Sequence, residues 1–428
     1  MLSLSRIKQL ALKWGVKSGV SIVDQAVFSG SSFLLSLLLA RWLSPGEYGT
    51  YAIAFSIFLF IAGFHNALIL DPMYVLGSSR HTEDFRQYVS SLMWLHFALT
   101  LAAGLVLAVS ALFIRRSAPT LSSSLAGLAI TCPFTLLFWL MRSACYVRTR
   151  PDLSLRGGAL YAICLFGVVI LLFIRKTLSP FSVFTAMALA STAASAVLMA
   201  VLGVRPRDMA WPAVSPLIRP LIRENWGYGK WIVGSAFVYW LSGAVYVPLV
   251  GTLAGLDEAG AFQAMQNLLR PLQQSLTALN TLFLPFISRQ RRERGDAYLK
   301  KTIPTIVIVS TLVSVAYFIF LLLAQRWLIP VLYKNSFYIG FADLLPYLWI
   351  ATLLSAVTQG LVIGLKTLER TELLFKGQAI GALFTMTVGL YLVYAFKVRG
   401  AALGSVFTML LLCVAYCIFL LRYFRKSS

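Results

Sequence analysis

Charge is scarce in this chain. Only 12% of its 428 residues are Asp, Glu, Lys or Arg, while 59% are hydrophobic, and an ordinary soluble domain carries about twice that charged share. A soluble fold is excluded. Carboxylates number 15 and fall almost entirely in loops and at the ends of apolar runs, so no acid pair for glycosyl chemistry can be assigned. The five cysteines (Cys132, Cys145, Cys164, Cys413, Cys417) and three histidines (His65, His81, His96) have no metal-ligand spacing. The cysteines read as small apolar residues in or beside spans. No Walker A loop is present, because GYGKW at 227–231 lacks both the spacing and the following Ser or Thr. No loop expected outside the membrane is longer than the one at 326–342, which leaves no room for an external catalytic domain. A cleavable signal is also missing, since the basic start leads into an apolar run too long for a signal core. These absences argue against an enzyme and imply no cofactor.

What fills the chain is a succession of apolar runs of a length to cross a bilayer core of about 30 Å. Twelve are read, at 20–43, 48–70, 88–113, 120–141, 157–174, 181–204, 231–253, 259–287, 303–325, 343–365, 376–396 and 400–421. The predicted fold is an all-α integral membrane protein of twelve transmembrane helices. The net charge of +22 follows the membrane rather than nucleic acid: 27 Lys and Arg lie in one alternate set of loops, tails and span ends, nine in the other, and Arg270 deep inside a span. The positive-inside rule puts the richer set, and with it both termini, in the cytoplasm.

The first two runs flank a turn, RWLSPGEYGTY at 41–51, in which Ser44 can cap the second helix, Pro45 suits its first position and Glu47 can reach back to the cap. Its spacing recurs at 255–262 as GLDEAGAF, with Glu47, Gly49 and Tyr51 falling on Glu258, Gly260 and Phe262; Trp14-Gly15 recurs as Trp226-Gly227. Two echoes at nearly one offset predict a duplicated bundle. The predicted organisation is an interfacial amphipathic helix at 1–17, a six-helix lobe at 18–204, a linker at 205–227 stiffened by Pro206, Pro212, Pro216 and Pro220, and a second six-helix lobe at 228–428. Six spans are an even number, so both lobes start on the same side as parallel repeats, and a site is expected near the midplane.

Polar residues inside the spans mark where that site lies. In span eight, Gln263, Gln266, Asn267, Arg270, Gln273, Gln274, Thr277, Asn280 and Thr281 recur at three- and four-residue steps along one helical face. Arg270 lies ten residues beyond Gly260, about 15 Å deep and too far in to snorkel. Either the stripe faces a wet passage or neighbouring carbonyls satisfy the guanidinium. Trp231, Ser235, Tyr239, Ser242 and Tyr246 form a companion face suited to stacking on sugars or to packing between helices. Asp24, one turn into span one, either reaches the interface or holds a proton or cation. Arg142 points into a cavity or meets headgroups. Lys366 closes span ten as an anchor.

The pattern VDQAVFSGSSFLLSLLLARWLSPGEYGTYAIAF, followed by LILDPM at 68–73, resembles the opening of Wzx-like polysaccharide exporters and lipid-linked oligosaccharide flippases of the multidrug/oligosaccharidyl-lipid/polysaccharide (MOP) exporter superfamily. That resemblance implies two six-helix lobes around a central cavity, alternating access, and movement of an undecaprenyl-diphosphate-linked glycan across a bacterial cytoplasmic membrane. It further implies partners among membrane lipids and polysaccharide assembly proteins. Basic residues lining the cavity would hold the anionic lipid-linked glycan; Arg270 fits best, with Arg41, Arg142 and Lys366 behind it, while Gln263, Gln266, Asn267, Gln274, Thr277 and Tyr239 would meet sugars. The rival is a cation-coupled drug or metabolite antiporter of the same superfamily, with Asp24 as its coupling acid. A membrane-embedded glycan polymerase or ligase is a more distant alternative.

Overall fold

A computed structural model describes residues 4–79, 81, 83–204, 218–334 and 336–426. Among these there are helices and no strands, as a bilayer demands of a chain that must satisfy its backbone internally. The helices are α1 (Leu4–Trp42), α2 (Pro45–His65), α3 (Phe85–Ile114), α4 (Pro119–Val147), α5 (Pro151–Ile174), α6 (Pro180–Leu202), α7 (Ile218–Tyr239), α8 (Tyr246–Leu253), α9 (Leu256–Arg294), α10 (Asp296–Leu332), α11 (Leu345–Thr367), α12 (Thr371–Phe384) and α13 (Leu390–Lys426).

Their limits follow from local chemistry. Proline stands in the first turn of α4, α5, α6 and α11, where its missing N–H costs nothing. Ser44 and Glu47 form the expected reciprocal cap: the Ser44 N–H donates to Glu47 Oε2 at 3.0 Å and the Glu47 N–H to Ser44 Oγ at 3.3 Å. Ser179 and Ser182 build a second such box for α6, which ends on Gly203 at φ 69°. The basic start and the first span form one uninterrupted helix, α1.

Among the described residues, nine helical stretches are long and apolar enough to cross a membrane, and a tenth arises if the pair Pro220–Ala244 and Tyr246–Leu253, bent by 50°, is one span. The stretch Thr371–Arg425 is broken at Lys397, where φ 54° and ψ −132° interrupt the helix, so it supplies two of the predicted spans. The remaining span is α9, whose polar stripe lowers its hydropathy. Pro206, Pro212 and Pro216 of the predicted linker lie outside the described residues; Pro220 is in the first turn of α7.

The chain forms two compact units, Met1–Ser36 with Ile57–Ala236, and Leu37–Ser56 with Phe237–Ser428. In the first, α4 is central and packs on α3, α5 and α6. Ala186, Ala190 and Ala194 of α6 are buried, and small residues at four-residue steps let helices approach closely where apolar burial gives no net drive. Thr131 and Thr135 of α4 add hydrogen bonds to the Phe184 carbonyl and Ser191.

In the second unit, α11 and α13 pack together with α9 and α10 around Leu299, Leu365 and Tyr416. The repeated motif has a structural reason here. The first turns of α2 and α9 cross at Gly49 and Gly260, so close that a Cβ on Gly49 would overlap the Leu256 carbonyl and one on Gly260 the Pro45 carbonyl. Only glycine allows that approach. Gly49→Val and Gly260→Val are each expected to cost about 2 kcal/mol or more, read as a lower melting temperature of the purified protein; an unchanged melting temperature would contradict the crossing.

Candidate functional site

Each unit carries a polar pocket with one arginine. In the second unit a cavity of about 440 Å³ is lined by Gln266, Arg270, Gln273, Gln274 and Thr277 of α9, by Thr352, Ser355 and Gln359 of α11, and by Gln378 of α12 and Ser405 of α13. Tyr239, Ser242 and Tyr246 complete its wall. Five amides and seven hydroxyls thus surround a single cation, with no carboxylate among the described lining residues. None of the ion pairs among the described residues involves Arg270. A guanidinium in this position presents a fork of donors to any anion that enters, and its strength grows as water is excluded.

Sequence periodicity joins some residues to this pocket that packing keeps apart. Gln263 and Asn267 share the stripe but are buried in helix contacts: Gln263 Nε2 donates to Asn267 Oδ1 at 3.2 Å, and Asn267 Nδ2 to the Tyr48 hydroxyl at 2.7 Å. They do not line the cavity. Asn267→Ala is therefore expected to lower stability by about 1–3 kcal/mol, by orphaning buried partners, while leaving cargo affinity within about twofold of wild type in a transport titration. Arg41 donates to the Val331 carbonyl, and Lys366 is exposed at the end of α11; neither lines the cavity. The side chains of Asn280 and Thr281 lie outside the described residues.

Thr352, Ser355, Gln359, Gln378 and Ser405 escaped the sequence reading. Thr352, Ser355 and Gln359 stand at three- and four-residue steps on α11, so the same periodicity that exposed the α9 stripe would have found them. Gln378, two residues after Lys376, and Ser405, three before Thr408, belong to no longer polar stripe and give no such signal.

In the first unit, Asp24 and Arg142 meet. Arg142 Nη2 donates to Asp24 Oδ2 at 2.7 Å, with the two residues 7% and 0% exposed. The Tyr146 and Ser154 hydroxyls donate to the same oxygen, Arg142 Nε donates to Ser154 Oγ at 3.3 Å, and the guanidinium lies 3.9 Å from the centre of the Phe28 ring. A cavity of about 230 Å³ opens beside the cluster, lined by Gln25, Asn66, Asp71, Tyr74 and Arg142 among others. Asp24 is thus buried inside the first unit, and its charge is compensated by Arg142. Spacing in the sequence, 118 residues between the two, gave no hint of the pair.

Comparison with known proteins bears on the family and the fold. A family model described as polysaccharide biosynthesis protein matches residues 38–340. No curated protein matches by sequence. Among solved structures, an inward-facing multidrug resistance MATE family transporter of the MOP superfamily aligns with a TM-score of 0.78 at 12% identity, covering 95% of this chain and 98% of that one. Lipid II flippase MurJ, in an inward closed conformation, aligns with a TM-score of 0.74 at 12% identity over 94% and 87% of the two chains. A MOP superfamily transporter from Pyrococcus furiosus, whose binding pocket is described as of reverse polarity, gives 0.66 at 13% identity over 96% and 95%. At these identities the likeness is one of fold.

Proposed function

We propose that this chain, which belongs to the family of polysaccharide biosynthesis proteins and has the fold of MOP-superfamily transporters, moves an undecaprenyl-diphosphate-linked oligosaccharide or a related polysaccharide intermediate across a bacterial cytoplasmic membrane by alternating access. The observation that carries this reading is Arg270: a guanidinium with no ion pair among the described residues, in a cavity whose other polar lining residues are amides and hydroxyls. The guanidinium suits an anionic lipid headgroup, and the amides and hydroxyls suit sugars, whose hydroxyls both donate and accept. The richer set of basic loops supports termini on the cytoplasmic side.

A cationic drug is a poorer fit. The antiporter reading would use Asp24, but that carboxylate is already compensated by Arg142, and the Arg270 cavity has no acid among its described lining residues. The test is twofold. Cells lacking the protein should accumulate a lipid-linked saccharide on the cytoplasmic leaflet, and liposomes containing it should translocate labelled lipid-linked glycan faster than protein-free liposomes. Equal rates with and without protein, or sensitivity of the cells to cationic dyes alone, would overturn the reading.

A further inference from the structure

The cavity of about 230 Å³ in the first unit is shaped by an irregularity in the chain after α2. Residues Asn66–Leu70 form a π-turn, in which the Asp71 N–H donates to the Asn66 carbonyl. In an α-helix of 3.6 residues per turn, residues five apart point about 140° away from each other. A π-turn closes on that i→i+5 bond and brings them toward one side; such turns recur at functional sites. Asn66, Leu70, Asp71 and Tyr74 all line this one cavity.

The polar groups of the lining are unevenly engaged. Its cation is already committed, because Arg142 holds Asp24, Ser154 and the Phe28 ring. The Tyr146 hydroxyl donates to Asp24, and the Tyr74 hydroxyl to Ser143 Oγ at 3.0 Å. What remains accepts. Asn66 Oδ1 is buried without a hydrogen-bond partner, and Asp71 enters none of the ion pairs among the described residues. A buried acceptor left without a donor is costly, so these oxygens suit a ligand rich in O–H groups. No group of three His, Cys, Asp or Glu able to hold a metal occurs among the described residues. The lining also includes Trp139, whose ring is fixed edge-on by Phe28 at 6.0 Å and by Phe58 at 5.6 Å between ring centres. A rigid indole offers a flat apolar face at little entropic cost.

We propose that this cavity is a subsite for one uncharged, hydroxyl-rich sugar ring, with Asp71 and Asn66 accepting from its hydroxyls and Trp139 packing against its C–H face. The inference rests on the transport reading for the source of the sugar, which is the cargo glycan. Its size agrees: at about 30 Å³ per water the cavity holds the equivalent of about eight waters, the space of a single ring rather than a chain. Asp71 also decides what is refused. A carboxylate with no cation of its own repels the carboxylate of a uronic acid, so the subsite discriminates against acidic sugars by charge.

Saturation-transfer NMR with free glucose and free glucuronate, which differ in one carboxylate, reads this on the full-length protein in nanodiscs. Arg270→Ala serves as the reference, so that the guanidinium of the other cavity does not attract the acid. Glucose is expected to be saturated and glucuronate to respond about fivefold less or weaker. Adding Asp71→Asn, which keeps the size of the side chain, should bring the two responses within about twofold of each other, and adding Trp139→Leu should abolish that of glucose. No response from glucose, or a preference over glucuronate that survives Asp71→Asn, would overturn the proposal. Nothing is translocated in this measurement, so its failure leaves the transport reading standing. Sugar binding that persists while liposomes fail to translocate glycan would instead overturn the transport reading and keep the subsite.

Discussion

Arg270→Ala is expected to lower translocation of a lipid-linked glycan by about 100-fold or more, with protein abundance and melting temperature near those of wild type. The reason is the environment of the side chain. It makes no ion pair among the described residues and faces the cavity, so its removal deprives the fold of little. A bound anion would lose two charge-assisted hydrogen bonds, together worth about 3 kcal/mol or more, and about 1.4 kcal/mol is tenfold. Arg270→Lys keeps the charge but not the fork, and an intermediate rate is expected. Initial rates in liposomes matched for protein content make the comparison; an alanine variant that flips glycan at the wild-type rate would remove Arg270 from the mechanism.

Arg142→Ala should behave in the opposite way, as a loss of stability. The Asp24 carboxylate beside it is fully buried, and stripping a buried charge of its partner costs about 3–5 kcal/mol. Thermal unfolding of the purified variant is expected to begin several degrees lower, or the protein to fail to accumulate. Asp24→Asn alone leaves the arginine uncompensated and should be comparably harmful. The double variant Asp24→Asn with Arg142→Gln removes both charges and is expected to recover most of the loss, so the two effects do not add. Additive losses would mean that the ion pair is not the organising contact of this cluster.

The two arginines explain how much could be read before the fold was known. Helical spans, their caps and the breaks between them are local properties, written in runs of apolar residues and in Ser44, Glu47 and the prolines at helix starts. The stripe on α9 was legible because one helix face carries it, and Arg270 stood out by its depth. What the sequence could not convey was which neighbours complete that face. Gln378 and Ser405 come from distant helices, Gln263 and Asn267 turn into the packing around Tyr48, and Asp24 finds Arg142 across 118 residues. The echo of the first turn at 255–262 suggested duplication; its two glycines meet at one helix crossing, and that contact is invisible in a linear reading.

The most direct test is competition in liposomes containing the wild-type protein. Labelled diphosphate-linked glycan is challenged with a neutral glycolipid bearing the same sugars, and separately with an unlabelled diphosphate-linked glycan. If a lone guanidinium recruits the cargo, the diphosphate competitor suppresses translocation strongly and the neutral one hardly at all, and this difference disappears in Arg270→Ala. Equal suppression by both competitors would contradict anionic recognition at this pocket.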